Sequence, residues 1–518
     1  MRRSGPRLRV LFTEGSSLSA RHAVAALGPA GHALDLLDSQ RLGLARFSRY
    51  VRACYRCPRF AADPAGYLDF LERRLRVGRY DVLLPVHDQV YLVSRFRDRL
   101  GKHVGLAVPP FPALERVQSK AEFVRLLDQL GLAHPATDLV DGPAGLERWA
   151  SYPCFVKLPY GTAGRGVWHV ADGSAMRRLA GCLATSGGWA GRGQVLVQQP
   201  ARGLFCTVQS VFQHGRLLAA HSYQARAVGV GGSAWARLGV DHPGVRHDLA
   251  RLGAHLGWHG ALHLDYFHDP GTQTAAYIDA NPRLGETMNA TLSGLSLCAL
   301  LLRVSIGERL DPPPAPAPGL RSHSLVMSLL ALAQQRATRR RLAAECRRAW
   351  VAQGFYRHSH EELTRPREDP PSLLPALVVA LRLVLRPGAA DAIVQGAVDS
   401  YALSEAAVLL AESLAPCGQE MGAGIRPPMI PTSQPSPPTR PAQETAPGSA
   451  RSVPACRSPS SPRRPCCPGP GRRPLGNRNP LPPGGPSAPC SRGWPRPATA
   501  SPSPTRAPSG SCRPEAAP

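Results

Sequence analysis

One segment, residues 263–283 (HLDYFHDPGTQTAAYIDANPR), constrains the fold more than any other part of the chain. Two strand-like runs flank a DPGT turn signal at 269–272, which predicts a β-hairpin. If the hairpin folds about position 272, Asp265 lies directly opposite Asp279, and Asn281 shares their face because side chains alternate along a strand. Opposed like charges destabilise a sheet unless something neutralises them. The pattern therefore predicts a Mg²⁺ site completed by substrate phosphates, with a solvated edge hairpin as the alternative.

A second segment, residues 155–170 (FVKLPYGTAGRGVWHV), is typical of a strand, a glycine-rich loop and a returning strand. The first strand presents Lys157. The loop contains Gly161, Gly164 and Gly166, and its backbone N–H groups can close over phosphates. No Gly-Lys-Ser/Thr follows the glycines, so this is not a Walker loop. Taken alone, an ordinary glycine-rich hairpin explains the segment equally well.

The first 118 residues alternate strand and helix signals. The patterns are strand-like at 8–12, 33–37 and 81–86 and helical at 19–27 and 67–76. This alternation predicts an α/β, Rossmann-like domain over residues 1–118, built on a parallel, doubly wound sheet. His87 and Asp88 follow the strand at 81–86, where open α/β sheets bind ligands, so a substrate role is one hypothesis for them.

Residues 119–311 form the next predicted unit, an α+β domain. Its first helix begins with a capping box at 119–122 (SKAE) and ends at Gly131. Strands and hairpins follow from Cys154 to Ile306. Helical patterns interrupt them near 174–185, 245–256 and 293–305.

The remainder of the chain changes character twice. A proline-rich linker at 311–318 leads into an arginine-rich helical region at 320–414. From residue 415 onward Pro, Ser, Arg, Gly and Ala dominate and periodic apolar residues vanish, so 415–518 is predicted to be a disordered tail. A frameshifted or non-functional extension is a further hypothesis for this tail, since a GC-rich reading frame not selected for folding has the same composition.

Charge and cysteine usage narrow the classes of partner. The chain has 62 Lys and Arg against 36 Asp and Glu, a net charge of +26, of which the tail holds +10. No Lys/Arg stripe is interleaved with aromatic residues, so nucleic acid is not an expected partner. Cys54 and Cys57 form the only close cysteine pair outside the tail, and a second pair that would complete a zinc site is missing.

The apolar runs predict a cytoplasmic protein without a membrane span. The N-terminus lacks the apolar region of a signal peptide. The longest apolar run, 373–385, contains Pro375 and Arg382 and is too short to cross a bilayer. A helical subdomain covering the core is the favoured interpretation of 320–414, with docking on anionic lipid as the alternative. The sequence leaves open whether the protein forms a homodimer.

Together these motifs resemble the ATP-grasp superfamily, and more closely its predicted carbamoyl-phosphate-synthase-like, ATP-dependent carboligases. The resemblance covers residues 8–310, with its specific motifs between 119 and 287. It implies a pre-ATP-grasp domain over 1–118 and an ATP-grasp domain over 119–311. It also implies a ligase that uses ATP and Mg²⁺ or Mn²⁺ to activate a small-molecule carboxylate as an acylphosphate, which an amine or other nucleophile then opens.

The resemblance also assigns roles to residues. Lys120 and Lys157 would hold the ATP phosphates beneath a lid formed by the loop 161–166. Residues 195–201 (VLVQQPA) would be the hinge strand, with the Gln198 side chain on the ribose and the backbone, through Gln199 and Ala201, on adenine. The metal ligands would be Asp265, Asp279 and Asn281. Arg283 would stabilise the charge of the transferred phosphoryl group and of the acylphosphate.

The chain departs from the family pattern at the hinge and at the metal site. Gln198 stands where Glu is usual, GLFC at 203–206 replaces a common Gly-x-Glu, and Asp279 is shorter than the usual Glu. The carboxylate is kept, so Mg²⁺ is still expected, whereas ribose recognition is left open. Arg226 and Arg237, between the hinge and the metal segment, are candidates to bind the substrate carboxylate, with surface arginines as the alternative.

Two other functions stay open. The altered hinge also fits a non-catalytic ATP-binding or regulatory module. An NAD-dependent enzyme has less support. Asp38 ends the second strand, where an acidic residue that binds the ribose of NAD would lie, but Gly-x-Gly-x-x-Gly is missing after the first strand.

Overall fold

The computed structural model describes residues 6–185, 189, 194–363 and 367–414. The predicted disordered tail at 415–518 lies outside these residues.

The N-terminal strands form a four-stranded parallel sheet in the order β3-β2-β1-β4. Val10 and Phe12 pack with helix α1 on one face, whereas Leu11 packs with α2 on the other, so the prediction of a doubly wound α/β sheet is confirmed. The edge strand β3 was not apparent from the sequence. The elements are β1 (Arg9–Phe12), α1 (Leu18–Leu27), β2 (Ala33–Asp38), β3 (Val51–Arg56), α2 (Pro64–Gly78), β4 (Val82–Leu84), α3 (Val90–Arg95), α4 (Arg97–Leu100) and α5 (Phe111–Gln118).

A second, antiparallel sheet of four strands carries the glycine-rich loop and is ordered β5-β8-β6-β7. Helix α6 begins after Ser119, whose side chain accepts a hydrogen bond from the Glu122 N–H, and ends at the left-handed Gly131, as the capping pattern predicts. The elements are α6 (Lys120–Leu130), β5 (Thr137–Val140), α7 (Pro143–Glu147), β6 (Cys154–Lys157), β7 (Val167–Val170), α8 (Gly173–Thr185) and β8 (Val195–Gln198).

The largest sheet has seven strands in the order β13-β12-β9-β10-β11-β14-β15. Its hairpin of β12 and β13 pairs Asp265 with Asp279 and His263 with Asn281, which confirms the predicted register. A register shift between Asp265 and Tyr266 produces these pairs, because the pairs nearer the turn, such as Asp269 with Thr274, would by themselves set Asp265 opposite Ile278. The elements are β9 (Leu204–Gln213), β10 (Arg216–Val228), β11 (Ala234–Val240), α9 (Pro243–Leu256), β12 (Gly260–Asp269), β13 (Thr274–Asn281), α10 (Met288–Leu292) and α11 (Leu297–Ser305).

The prediction of a helical region at 320–414 is incomplete, because its first residues extend the large sheet. Strand β14 pairs with β11, and β15 pairs with β14. Helices α12 to α14 then build a core of their own around Leu329, Leu342 and Leu383. The elements are β14 (Arg321–His323), α12 (Leu325–Gln334), α13 (Arg339–Trp350), β15 (His360–Glu361), α14 (Leu373–Leu385), α15 (Ala390–Tyr401) and α16 (Glu405–Ser413). Short 3₁₀ turns lie at Gly28–Ala30, Leu44–Phe47, Val230–Gly232, Gly354–Tyr356, Pro370–Ser372 and Pro387–Ala389.

One stretch within the described residues, Pro387–Ser413, is long and apolar enough to cross a membrane by length and composition. It is not a continuous helix, because α15 ends at Tyr401 and Ala402 has extended backbone angles. Helix α16 also buries Ala407, Val408 and Ala411 in the core that contains α2. The stretch is therefore a series of short helices packed on the protein.

Candidate active site

The two opposed aspartates lie on one face of the large sheet, where β12 is flanked by β13 and β9. Asp265 Oδ1 accepts a hydrogen bond from Thr207 Oγ1 at 2.8 Å and lies 3.2 Å from His263 Nε2. Burial alone would raise the pKa of Asp265, but His263 and the Thr207 hydrogen bond outweigh it and hold the pKa below its ordinary value. Asp265 is therefore an anion, as a carboxylate that binds a metal must be.

Asp279 faces a lysine from the start of helix α6. The Oδ1 atom of Asp279 lies 3.2 Å from Lys120 Nζ. This oxygen is buried and accepts no hydrogen bond. A buried carboxylate oxygen without a hydrogen bond has unused capacity for a cation. Lys120 also approaches the glycine loop, with Nζ 3.5 Å from the Gly161 carbonyl oxygen.

The oxygens of Asp265, Asp279 and Asn281 fit Mg²⁺ by their chemistry. Mg²⁺ prefers oxygen ligands and is commonly held by one or two carboxylates together with substrate phosphates and water. Within the residues that the structure describes, no group of three or more His, Cys, Asp or Glu side chains is arranged to hold a metal. The candidate site thus has the composition of a substrate-completed Mg²⁺ site and lacks that of an all-protein metal cage.

Lys157, the last residue of β6, is buried beside the same hairpin. Its ammonium donates to Gln198 Oε1 at 2.7 Å and to the Ile278 carbonyl oxygen at 3.1 Å. Burial lowers the pKa of Lys157 to about 8. Both acceptors are neutral, so the charge of this lysine is not cancelled by a directly bonded carboxylate.

The hinge strand β8 presents Gln198 to the lysine instead of to open solvent. Gln198 is buried, and its Nε2 donates to Thr137 Oγ1 at 2.9 Å, so both ends of its amide are engaged. Gln199 donates from its side chain to the Ser151 carbonyl oxygen at 3.1 Å, and Ala201 follows in a partly exposed loop. The amide keeps one further N–H and one further lone pair, but the Gln198 side chain points into the interior and is only 3% exposed.

The glycine loop joins β6 to β7, as the sequence predicts, with Lys157 paired to Val167. Gly164 and Gly166 have φ near +75°, a region that favours glycine. Arg165, between them, forms an ion pair with Asp399 of α15 at 2.6 Å. The loop is thus held against the C-terminal helices.

Asp88 binds three parts of the chain that are distant in sequence. The sequence suggested only a substrate role for it, as one hypothesis. Arg283 Nε donates to Asp88 Oδ1 at 2.9 Å, Thr162 of the glycine loop bonds to Oδ2, and the Leu403 N–H donates to Oδ2 at 3.1 Å. The Asp88 side chain is only 2% exposed. Burial opposes its ionisation, but His87 and Arg283 outweigh this and hold the pKa of Asp88 far below its usual range.

The position of Asp88 in the fold explains why it can reach Arg283. It follows β4, which is paired with β1, and the strand order reverses between these two strands. The carboxyl ends of strands at such a reversal point form the ligand-binding crevice of open α/β sheets. Neighbouring His87 stacks on Tyr401 with ring centroids 3.9 Å apart, and burial and the Arg283 charge lower its pKa to about 4, so it is neutral at pH 7.

Arg283 itself is oriented by two partners. Besides Asp88, it donates from Nη2 to Asn281 Oδ1 at 2.8 Å. The guanidinium therefore lies next to the metal-ligand candidates, on the strand end that carries them. In the sequence, only the resemblance to the ATP-grasp superfamily pointed to Arg283.

The two arginines that were candidates to bind a substrate carboxylate differ in their exposure and in their partners. Arg237 is 1% exposed and forms ion pairs with Glu286 and Glu362. Arg226 is exposed, with Nη1 3.4 Å from Gln224 Oε1. Arg237 would have to exchange one of its two carboxylate partners to bind a substrate, whereas Arg226 is open to solvent.

Asp38, the acid that an NAD-dependent enzyme would direct at a ribose, is buried. Its carboxylate accepts hydrogen bonds from Ser16 Oγ at 2.9 Å and from the Gln40 N–H at 2.8 Å. It is therefore used to fix the first turn of the N-terminal sheet.

No protein-family model and no curated protein matches the sequence. Solved structures that are similar in fold include the biotin carboxylase domain of 2-oxoglutarate carboxylase from Hydrogenobacter thermophilus, in complex with MgADP, ADP and bicarbonate. That protein is 14% identical, with a TM-score of 0.48, and the match covers 59% of this chain and 71% of that chain.

Two further solved structures are similar. The L-amino acid ligase from Bacillus licheniformis is 16% identical, with a TM-score of 0.44 and coverage of 59% and 76% of the two chains. The N5-carboxyaminoimidazole synthetase from Staphylococcus aureus, complexed with ADP, is 10% identical, with a TM-score of 0.47 and coverage of 62% and 83%.

Proposed function

We propose that the chain is an ATP-grasp ligase that uses ATP and Mg²⁺ to activate a small-molecule carboxylate as an acylphosphate and joins it to an amine or other nucleophile. The observation that carries the proposal is the register of the β12–β13 hairpin, which sets Asp265 directly opposite Asp279. Lys120 lies 3.2 Å from Asp279 on the same site. Carboxylates and lysines that face one another in this way suit a polyphosphate that carries its own metal ion.

Lys157 and Lys120 would bind the ATP phosphates. Lys157 is held by two neutral acceptors, Gln198 and the Ile278 carbonyl, so a phosphate can take up its charge without competing against a directly bonded carboxylate. Lys120 approaches both Asp279 and the glycine loop, so it can follow the phosphates when the loop closes. The backbone N–H groups of the loop 161–166 would cover them.

Asp265, Asp279 and Asn281 would hold the metal, and the bound Mg²⁺ would neutralise charge on the phosphate oxygens. Part of the chain's own role is to keep the Asp265 carboxylate ionised. Thr207 and His263 do this for Asp265, since they hold its pKa below the ordinary value.

Arg283 would stabilise the charge of the transferred phosphoryl group and of the acylphosphate. Phosphoryl transfer depends on positioning and on charge neutralisation by groups that are already oriented. Asp88 and Asn281 supply that orientation, because each accepts a hydrogen bond from the Arg283 guanidinium. We therefore assign Asp88 as a positioning residue for Arg283.

The proposed reaction has two steps. A carboxylate oxygen of the substrate attacks the γ-phosphorus, the bond between that phosphorus and the β,γ-bridging oxygen breaks, and ADP leaves. The amine then attacks the acyl carbon, the bond from that carbon to the phosphate oxygen breaks, and inorganic phosphate leaves as the nitrogen loses a proton. The identities of the acid and the amine are not part of the proposal.

A non-catalytic ATP-binding or regulatory module is the second candidate. The observation that favours it is the burial of Gln198, whose bonds to Lys157 and Thr137 direct this side chain into the protein interior. Weak or altered nucleotide recognition follows from this arrangement. Catalysis is the better-supported alternative, because Arg283 is oriented by two partners and a purely regulatory site has no need of such an arginine.

A screen for ADP formation separates the two functions. The full chain is incubated with ATP and Mg²⁺ and a matrix of carboxylic acids and amines, and ADP is measured with each substrate omitted in turn. ADP formation that requires an acid supports the ligase, and Asp279→Ala should abolish it. The matched control, Glu308→Gln, removes an exposed carboxylate from an ion pair far from the hairpin in sequence and should have no effect. Binding of MgATP without ADP formation for any acid would favour the regulatory module.

A further inference from the structure

Helix α14 carries an apolar stripe on its solvent-exposed side. At about 100° per residue, five apolar side chains fall within an arc of about 100° on the face opposite Ala376 and Leu383, which are buried. The exposed fractions are 52% for Leu374, 61% for Leu377, 55% for Val378, 61% for Leu381 and 55% for Leu385. A contiguous exposed apolar face of this kind marks an interaction surface.

The surroundings of the stripe are strongly basic. Arg382 and Arg386 are exposed at its border, and helix α13, which packs against α14, has exposed arginines at 339–341 and 347–348. Trp350, the last residue of α13, is 90% exposed. The single acid on these two helices is Glu345, which is buried and bonded to Tyr356 at 2.6 Å. The exposed residues of α13 and α14 therefore include arginines and no carboxylate.

We propose that this surface of α13 and α14 docks on an anionic lipid bilayer. Leucines of the stripe would enter the boundary between headgroups and acyl chains, and the arginines would extend to anionic headgroups. Trp350 has the residue type that is enriched at this boundary. The proposal does not depend on the reaction that the chain catalyses.

The length of α14 and the positive charge of the surface favour an anionic bilayer over other partners. Thirteen helical residues extend about 20 Å, less than the roughly 30 Å of a bilayer core, so α14 would lie in the plane of the interface. A second copy related by a two-fold axis would bring this basic surface against itself, and like charges oppose such a contact. A nucleic acid would attract the arginines but would leave the leucines without an apolar partner.

Flotation with lipid vesicles tests the proposal. The full chain is mixed with vesicles of phosphatidylcholine alone or of phosphatidylcholine with phosphatidylglycerol, and the bound fraction is measured at low and high salt. Binding should require the anionic lipid and weaken with salt. The double variant Leu377→Asp/Leu381→Asp should lower the partition coefficient about tenfold or more, since it removes the two most exposed leucines of the stripe.

The controls separate the stripe from the basic tail. Leu42→Asp/Val77→Asp changes two apolar residues that are 78% and 76% exposed outside this surface, and it should leave binding unchanged. Arg382→Glu should reduce binding to anionic vesicles. Equal binding of wild type and Leu377→Asp/Leu381→Asp would overturn the proposal and attribute binding to the tail. A dimer in light scattering that this double variant dissociates would overturn it in favour of a second copy, and absence of binding to anionic vesicles would also overturn it.

Discussion

Replacement of Asp88 by Asn should destabilise the protein strongly, because it leaves Arg283 buried without its anion. The Asp88 and Arg283 side chains are 2% and 10% exposed, and their charged atoms approach to 2.9 Å. At an effective dielectric constant of about 20, two unit charges about 4 Å apart attract each other by about 4 kcal/mol. Asn has a single oxygen, and when this accepts from the Leu403 N–H the amide NH2 faces the Arg283 Nε–H, so both the charge and the hydrogen bond to Arg283 are lost.

The expected change in the free energy of unfolding is about 3 kcal/mol or more, which is typical when one partner of a buried ion pair is removed. The assay is equilibrium unfolding in urea. Glu308→Gln is the matched control, because its ion pair with Arg303 is exposed at both ends and contributes at most about 1 kcal/mol.

A double-mutant cycle checks that the effect passes through Arg283. Arg283→Met alone should also destabilise, and the pair of substitutions should show a coupling energy of about 1.5 kcal/mol or more. Additive single effects, or a loss below about 1 kcal/mol for Asp88→Asn, would refute the assignment of Asp88 as the group that holds Arg283.

Three further predictions concern the nucleotide site and the pH dependence of folding stability. The apparent affinity for MgATP should fall as the pH rises through about 8, the pKa of Lys157, because the neutral amine binds phosphate weakly; titration calorimetry measures this, and the decline should be absent in Lys157→Met. Asp279→Asn should weaken MgATP binding by about tenfold or more while affinity for metal-free ATP changes little; equal losses for both would contradict the metal assignment. Glu14, whose pKa burial raises from 4.5 to about 7, favours folding at low pH, and that contribution is lost as the pH rises through 7. Relative to wild type, Glu14→Gln should therefore gain thermal stability between pH 4.5 and 8, and a constant difference in Tm would count against a raised pKa.

The hairpin of the metal site could be predicted from the sequence because its determinants are local. The turn signal and the alternation of side chains indicate the hairpin and the residues that share a face. The pairing of Asp265 with Asp279 also needs the register shift between Asp265 and Tyr266, because the turn-side pairs alone would set Asp265 opposite Ile278. The capped helix α6 and the glycine-rich hairpin were predictable for the same reason. In each case the residues that determine the structure lie close to one another in the sequence.

The remaining features depend on partners distant in sequence. Asp88 and Arg283 are 195 residues apart, and only their three-dimensional meeting shows that one orients the other. Arg237 meets Glu362 from 125 residues away, so an arginine that looks free in the sequence is an ion-paired core residue. Strand β14 has three residues, too few for a periodic pattern, so its addition to the large sheet left no signal in the sequence.

Isotope transfer tests whether a carboxylate oxygen attacks the γ-phosphorus of ATP. A substrate acid identified in the ADP screen is labelled with ¹⁸O in its carboxylate, and the inorganic phosphate formed with the amine is analysed by mass spectrometry. The account predicts one ¹⁸O atom per phosphate released, because the attacking oxygen leaves with the phosphate when the amine opens the acylphosphate. Unlabelled phosphate, in which three oxygens come from ATP and the fourth from water, together with the label retained in the acid, would contradict this mechanism.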